Sequence, residues 1–227
     1  MLSTRLIFPS VVGFFGAAIL FWLGSWQMDR LEWKERVIAD IEARVDAAPV
    51  GIPDAPQVDN DRYLPVEVSG TFLENEITVL ASTKQVGAMY RIIAPFRTDG
   101  GRMIMIDRGF VLDELRDRPR PKGAATLVGN LYWPDEVDSF TPEPDLDAGI
   151  WFARDIPNMA RALGTEPVLL VVRRTSQSGN GITPLPVDTS LIPNKHFEYA
   201  VTWYGLGIVW LAMSGLMIWR QLRKDEG

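Results

Sequence analysis

The residue with the clearest chemical potential is His196, the only histidine among 227 residues. An imidazole can bind a metal ion, and the chain has no cysteine that could offer a thiolate instead. His196 stands just before a long apolar run. At that position an imidazole can serve either as a polar anchor at a membrane interface or as a metal ligand. The residues alone leave both roles open.

Helical spacing shows which side chains could share a face with His196. On a helix that begins at His196, the i+3, i+4, i+7 and i+11 positions are Tyr199, Ala200, Trp203 and Gly207. One helix face would therefore combine a metal ligand, two aromatic rings and two small residues.

The first apolar run offers a second set of candidates at helical spacing. Trp22, Trp26, Arg30 and Trp33 recur at i, i+4, i+8 and i+11, and Lys34 follows. Arg30 stands where a membrane helix would emerge into water, so its guanidinium could pair with a carboxylate. We predict that Trp26, Arg30, Trp33 and Lys34 form a rim that faces His196. The alternative is the ordinary belt of aromatic and cationic residues at a membrane surface.

These side chains lie in or beside two uncharged runs of about 20 residues. A helix of that length can cross the hydrocarbon core of a membrane. We predict transmembrane helices over 6–28 and 197–219. Small residues in the two runs would allow the helices to approach closely. They are Gly13, Ala17, Gly207 and Gly215.

The cations predict the orientation of the two helices. Three cations closely follow the second run, namely Arg220, Arg223 and Lys224. Only one nearby cation, Lys195, precedes it in the sequence. Because positive charge favours the cytoplasmic side, we expect both termini, including the tail 220–227, in the cytoplasm. The first run lacks a cleavage site and only five residues precede it, so we expect an uncleaved anchor in a bacterial inner membrane.

Between the two runs the sequence predicts a domain that would lie in the periplasm. Residues 29–48 have the pattern of an amphipathic helical extension, and a proline-rich linker follows. Six short β-like runs then alternate with turns, and "IPNMARALG" has a helical pattern with Gly164 as its cap. We therefore predict an α+β membrane protein in which the two transmembrane helices flank a mainly antiparallel β domain at 49–191 with one or two helices.

Two other features have structural explanations that we prefer to chemical ones. Asp107 and Arg108 could suggest a catalytic pair, but an Asp-Arg-Gly step is more typical of a turn with a local ion pair. Met103 and Met105 could suggest copper, but they stand in an apolar strand, where core packing is expected. The net charge of −6 gives no reason to expect nucleic acid as a partner.

The segment "LGSWQMDRLEWK" at 23–34 resembles the LGxWQxxRxxWK signature of the surfeit-locus-one family, whose members assist cytochrome c oxidase assembly. Further motifs follow in the family's order along nearly the whole chain. They are "VSGTF", "APF", "IDRGFV", "GNLYW", "WFARDIPNMARALG" and "PNKHFEYAVTWYG". Chance similarity does not explain so long a series.

The resemblance implies a protein with two membrane spans and no known catalytic reaction. Such a protein would bind haem a transiently and help its insertion into oxidase subunit I. By motif match the resemblance makes His196 the axial ligand of the haem iron. A haem site also needs an apolar surface for the macrocycle, aromatic walls, and cations near water for the propionates. The helix face of His196 could accommodate the flat macrocycle, and Arg30 could pair with a propionate.

The implied partners are subunit I, haem a synthase and the membrane, and the protein could form an oligomer. The alternative is a scaffold that holds subunit I without touching haem. The missing cysteines and the single histidine argue against a copper carrier or an enzyme.

Overall fold

A computed structural model describes residues 4–83, 86–177, 181–189 and 192–225. Residues 178–180 and 190–191 of the predicted return loop and residues 226–227 of the predicted tail lie outside the described residues. The chain forms two compact units, one of residues 1–40 with 189–227 and one of residues 41–188.

The helices are α1 (Thr4–Val45), α2 (Val58–Asp61), α3 (Ile156–Leu163) and α4 (His196–Asp225), with a short 3-10 helix at Asp113–Leu115. The strands are β1 (Pro65–Phe72), β2 (Ile77–Thr83), β3 (Gly87–Thr98), β4 (Met103–Val111), β5 (Gly123–Leu131), β6 (Ile150–Trp151) and β7 (Leu169–Thr175).

The first unit consists mainly of α1 and α4. Both helices are long and apolar enough to cross a membrane by length and composition. They expose large apolar side chains such as Phe14, Ile208 and Met213, which suits a lipid environment better than water. No glycine or proline follows Gly24 until Pro49, so α1 continues without a break through the amphipathic segment as far as Val45.

The second unit is built on a seven-stranded mixed sheet in the order β1-β5-β7-β4-β3-β2-β6. β1 also pairs with β3, which closes β1, β5, β7, β4 and β3 into a ring. β3 has three neighbours because it is long. Its first half pairs with β2 and its end with β1, and its ladder to β4 is irregular between Arg91 and Ile93. Gly70 permits the closure, since a Cβ there would collide with the carbonyl of Arg97.

The predicted α+β architecture is confirmed. The six predicted β runs correspond to β1–β5 and β7, and most of the pairs are antiparallel, although β4–β7 and β2–β6 are parallel. The predicted helix is α3, where the Asp155 carboxylate accepts the Asn158 N–H at 3.1 Å and Gly164 takes the left-handed conformation at φ 65°. The proline-rich linker is more ordered than predicted, because it contains α2 and a bridge between Val50 and Val66.

Two apolar clusters hold this sheet. One cluster fills the ring, and the other packs α3 against the opposite face. β4 contributes to both, since Ile104 and Ile106 belong to the ring and Met105 packs with α3. β4 is therefore a central strand with two apolar faces, as its sequence predicts, and the fully buried Met105 is a packing residue.

Candidate functional site

The candidate site lies in the first unit, where α1 and α4 pack antiparallel through small residues. The closest approaches are Gly13 to Ser214, Gly16 to Trp210, Gly24 to Tyr204, and Gly207 to Phe21. A Cβ added at Gly13 would lie 2.8 Å from that of Ser214, so this position tolerates nothing larger than glycine without a shift. Ala17 is also buried, as predicted. The prediction for Gly215 is wrong, because it faces open space.

Polar contacts accompany this packing along the helix pair. The Trp210 Nε1–H donates to the carbonyl of Gly13 at 3.1 Å, and the Ser25 hydroxyl lies 3.2 Å from that of Tyr204. Interhelical hydrogen bonds of this kind each contribute about 0.6 kcal/mol in membrane proteins. They fix the register of the two helices and hence which residues of α1 stand opposite His196.

The residue opposite His196 is Gln27. Nδ1 of His196 lies 2.7 Å from Oε1 of Gln27, and the imidazole is half-buried at the start of α4. Oε1 of Gln27 accepts, so in the tautomer that carries its proton on Nδ1 the imidazole donates to Gln27 and its lone pair is on Nε2. Among the described residues, Nε2 has no hydrogen-bond partner. A neutral imidazole whose Nδ1–H is held by an oxygen is the arrangement found in histidine ligands to metals.

The predicted residues of α4 divide between the helix contact and the outer surface. Ala200 is 1% exposed, and Trp203 is half-buried one turn further along. Tyr199, by contrast, is 55% exposed. The buried stripe of α4 thus runs from His196 through Ala200 to Gly207.

The predicted residues of α1 lie mostly on its outer surface. Trp26 and Trp33 are 49% and 44% exposed, and the exposed Arg30 places its guanidinium carbon 3.9 Å from the centre of the Trp33 ring. This distance is typical of a cation–π contact. Lys34 is half-buried and stands two turns beyond Gln27 on the same stripe. The role of these side chains toward a cofactor stays a prediction.

Gln27, Ser25 and Tyr204 are contact residues that the sequence analysis missed. Gln27 belongs to the 23–34 signature, and Gly24 precedes it by three positions on the same helix face. The signal was therefore present, since a polar residue in line with an interfacial glycine is expected to face the partner helix.

Further along the helix pair lies an apolar groove of about 500 Å³. Its lining residues are Gly16, Ile19, Leu20, Leu206, Val209, Trp210 and Met213. Leu206 is ten residues beyond His196, which corresponds to roughly 15 Å along α4. The groove offers apolar surface that hydrocarbon or another apolar group can cover.

The second unit contains a buried cluster of charges around Asp107. The Asp107 carboxylate, which is 0% exposed, accepts from Nε of Arg91 at 2.7 Å and from Nη1 of Arg154 at 3.3 Å. Arg154 also binds Glu136 through its Nε at 3.1 Å. Partial burial opposes ionisation of Glu136, but the hydrogen bonds and charge of Arg154 outweigh it and lower the pKa of that carboxyl. Two carboxylates thus neutralise two guanidinium groups.

The prediction of a local ion pair between Asp107 and Arg108 is wrong. Both residues lie within β4, where successive side chains point to opposite faces of the sheet. Arg108 instead places Nη1 3.9 Å from Glu76 and its guanidinium carbon 4.3 Å from the centre of the Phe72 ring. Burial lowers the pKa of Arg108, although Glu76 partly offsets this effect.

Comparison with known proteins gives a consistent result over most of the chain. The profile of the SURF1 family matches residues 14–208, a range that includes both Gln27 and His196. Surfeit locus protein 1 of Homo sapiens is 33% identical over 233 residues, which covers 91% of this chain and 75% of that protein. Surfeit locus protein 1 of Xenopus tropicalis is 33% identical over 82% of this chain and 68% of its own length. A SURF1-like protein of Monosiga brevicollis is 29% identical over 92% of this chain and 85% of its own length.

Proposed function

The chain belongs to the SURF1 family, and from this membership we propose that it is a cytochrome oxidase assembly factor that binds haem a and assists its insertion into subunit I. Oxidase assembly is the role that the family resemblance implies. The observation that carries the haem proposal is the contact between Gln27 and His196, which leaves Nε2 available to a metal. Subunit I is the proposed recipient, and haem a synthase is a proposed donor.

The surroundings of His196 suit haem in two respects. Trp203 adds a half-buried aromatic ring, and Lys34 adds a cation on the Gln27 stripe. A porphyrin exposes a large apolar surface, so it partitions more favourably to such a site than to water.

The chemistry of the site favours transfer of a cofactor rather than turnover of a substrate. One imidazole on a helix pair binds haem iron less firmly than the closed sites that use two axial protein ligands. A carrier must release its cargo, and a single ligand makes release easier. In this proposal Gln27 orients His196, and the iron is held by Nε2.

The direct test is to co-express the protein with the enzymes of haem a synthesis, purify it in mild detergent and record its absorption spectrum. We expect a Soret band and approximately one haem per chain. Copurification of subunit I without haem, from cells that make haem a, would contradict haem binding and support the scaffold alternative. The exposed apolar surface of α1 and α4 suits that alternative as well.

The two helices fit a two-pass membrane protein, and we propose further that it lies in a bacterial inner membrane with the central domain in the periplasm. The cations after Trp219 support cytoplasmic termini, since a segment as long as 41–188 crosses largely regardless of its charge. Reporters fused at Leu2 and Gly227 should give cytoplasmic signals and one at Asp99 a periplasmic signal. A cytoplasmic signal at Asp99 would refute this topology.

A further inference from the structure

The segment between β5 and β6 has an unusual combination of charge and exposed apolar side chains. Residues 134–149, here called the acidic loop, contain six aspartates and glutamates and no lysine or arginine. Phe140 is 90% exposed, Leu146 77% and Val137 50%. Loops of this length in a compact domain are commonly functional, and three exposed apolar side chains on one such loop offer area that a partner can cover.

The acidic loop is held in place by its own hydrogen bonds. Oδ1 of Asp138 accepts the N–H of Phe140 at 2.8 Å and the hydroxyl of Thr141 at 3.1 Å. The hydrogen bond from the Phe140 N–H, with those of Thr141, holds the pKa of Asp138 below its usual value. Asp145 and Ile150 exchange both of their backbone hydrogen bonds, at 2.8 and 2.9 Å. The exposure of Phe140 is therefore a property of an ordered loop.

A pocket of about 250 Å³ is lined partly by the acidic loop, through Val137 and residues 141–144, and has both polar and apolar walls. Its apolar lining includes Val137, Pro142, Pro144, Trp151 and Phe152, and Phe152 is itself 38% exposed. Glu143 lies at the same pocket and forms no hydrogen bond or ion pair with the described residues. The pocket can thus receive an apolar side chain next to an uncompensated negative charge.

We propose that the acidic loop and this pocket form a docking surface for another polypeptide, which presents an apolar side chain flanked by lysine or arginine. The charge of the loop selects a cationic partner, and the exposed side chains supply apolar area that the partner covers. A lipid surface fits less well, because the five carboxylates of the loop other than Glu136, which pairs with Arg154, would have to approach the headgroups and would be repelled by anionic lipids. This surface is independent of the proposed haem function.

A fluorescent probe can report on the loop specifically, because the chain has no cysteine. We would label the exposed Ser139 as Ser139→Cys in the full-length protein, embedded in zwitterionic lipid nanodiscs, and titrate the peptide KKKLWLKKK. We expect saturable binding that weakens as salt is added. The peptides EEELWLEEE and KKKSGSKKK should not bind, because the first lacks the cations and the second the apolar residues. Absence of saturable binding by KKKLWLKKK would overturn the proposal.

Variants separate the two components of the surface. Phe140→Ser with Leu146→Ser should weaken binding at least about tenfold, since these side chains supply the apolar contact. Glu143→Gln with Asp147→Asn should weaken binding and reduce its salt dependence. Leu112→Ser is the matched control, because Leu112 is 46% exposed outside the loop, and it should bind as the parent does.

Two results would contradict this assignment. Equal weakening by Leu112→Ser would mean that the peptide binds apolar surface in general. Quenching of the Ser139→Cys label by brominated lipids in the nanodisc would instead identify the loop as a membrane contact. Haem content should be the same in all of these variants, so failure of this proposal is distinguishable from failure of the proposed function.

Discussion

Replacing His196 with alanine should leave the protein inserted in the membrane but remove most of its haem absorbance. The chain offers no second imidazole and no thiolate, so nothing of comparable strength can replace His196 as the proposed axial ligand. The loss to folding should be small, because the half-buried imidazole makes one hydrogen bond, which contributes about 0.5–1.5 kcal/mol. The measurements are haem per chain, Soret position and abundance in the membrane.

Tyr199→Phe is the matched control for this experiment. Tyr199 lies one turn from His196 but is 55% exposed, and the substitution keeps its ring. It should retain haem with at most a small spectral shift. If His196→Ala copurifies with as much haem as the parent, with the same Soret position and equal abundance, His196 is not the ligand.

Substitutions of Gln27 test the same proposed haem site through the residue that contacts His196. Gln27→Leu removes the acceptor for Nδ1 and leaves His196 free to change its tautomer and orientation, so we expect haem affinity to fall by about tenfold. Gln27→Glu keeps an acceptor and should retain haem, with a shifted spectrum because a carboxylate makes the imidazole a stronger donor. A purely structural role for Gln27 would change protein abundance and leave the spectrum unaltered.

The sequence predicts local elements well because strands and helices leave periodic patterns. β4 illustrates this, since Ile104 and Ile106 alternate with Met105, and both faces of the strand are indeed covered. β6 was missed because two residues, Ile150 and Trp151, are too few to show a period. The closure of the ring by β1 and β3 also leaves no local pattern, because it depends on the bend of β3 and on the register of strands distant in sequence.

The candidate site shows the same division between local and distant information. Helical spacing correctly places Ala200 and Gly207 on the face of His196, because these positions follow from α4 alone. Which residue of α1 contacts His196 depends on the register between α1 and α4. Contacts such as that of Gly24 with Tyr204 set this register and bring Gln27 to His196. Spacing within one helix cannot give that register.

The error at Asp107 has a physical cause that leads to a prediction. Its partners Arg91 and Arg154 stand 16 residues before and 47 residues after it, so the sequence around Asp107 contains no sign of either. All three side chains are at most 10% exposed. Removal of one partner from a buried ion pair typically destabilises a protein by about 3–5 kcal/mol, because an uncompensated charge stays buried.

Asp107→Asn should therefore lower the free energy of unfolding of the domain between the membrane helices by about 3–5 kcal/mol. The amide keeps the shape of the carboxylate but no longer neutralises Arg91 and Arg154, which would be left with Glu136 as their remaining carboxylate in this cluster. Urea-dependent proteolysis of the full-length protein in mild detergent measures the change. Asp99→Asn is the matched control, since Asp99 is exposed, and it should alter stability by about 0.5 kcal/mol or less.

A double variant tests whether charge is the cause. Arg91 binds Asp107 and the carbonyl of Leu185, so Arg91→Met alone should also destabilise the domain. When Asp107 is already asparagine, the guanidinium of Arg91 is a buried charge without its partner, and its removal should cost little or restore stability. Additive losses from the two substitutions would mean that Asp107 and Arg91 act independently, which would contradict the role of Asp107 as the neutralising centre of the cluster.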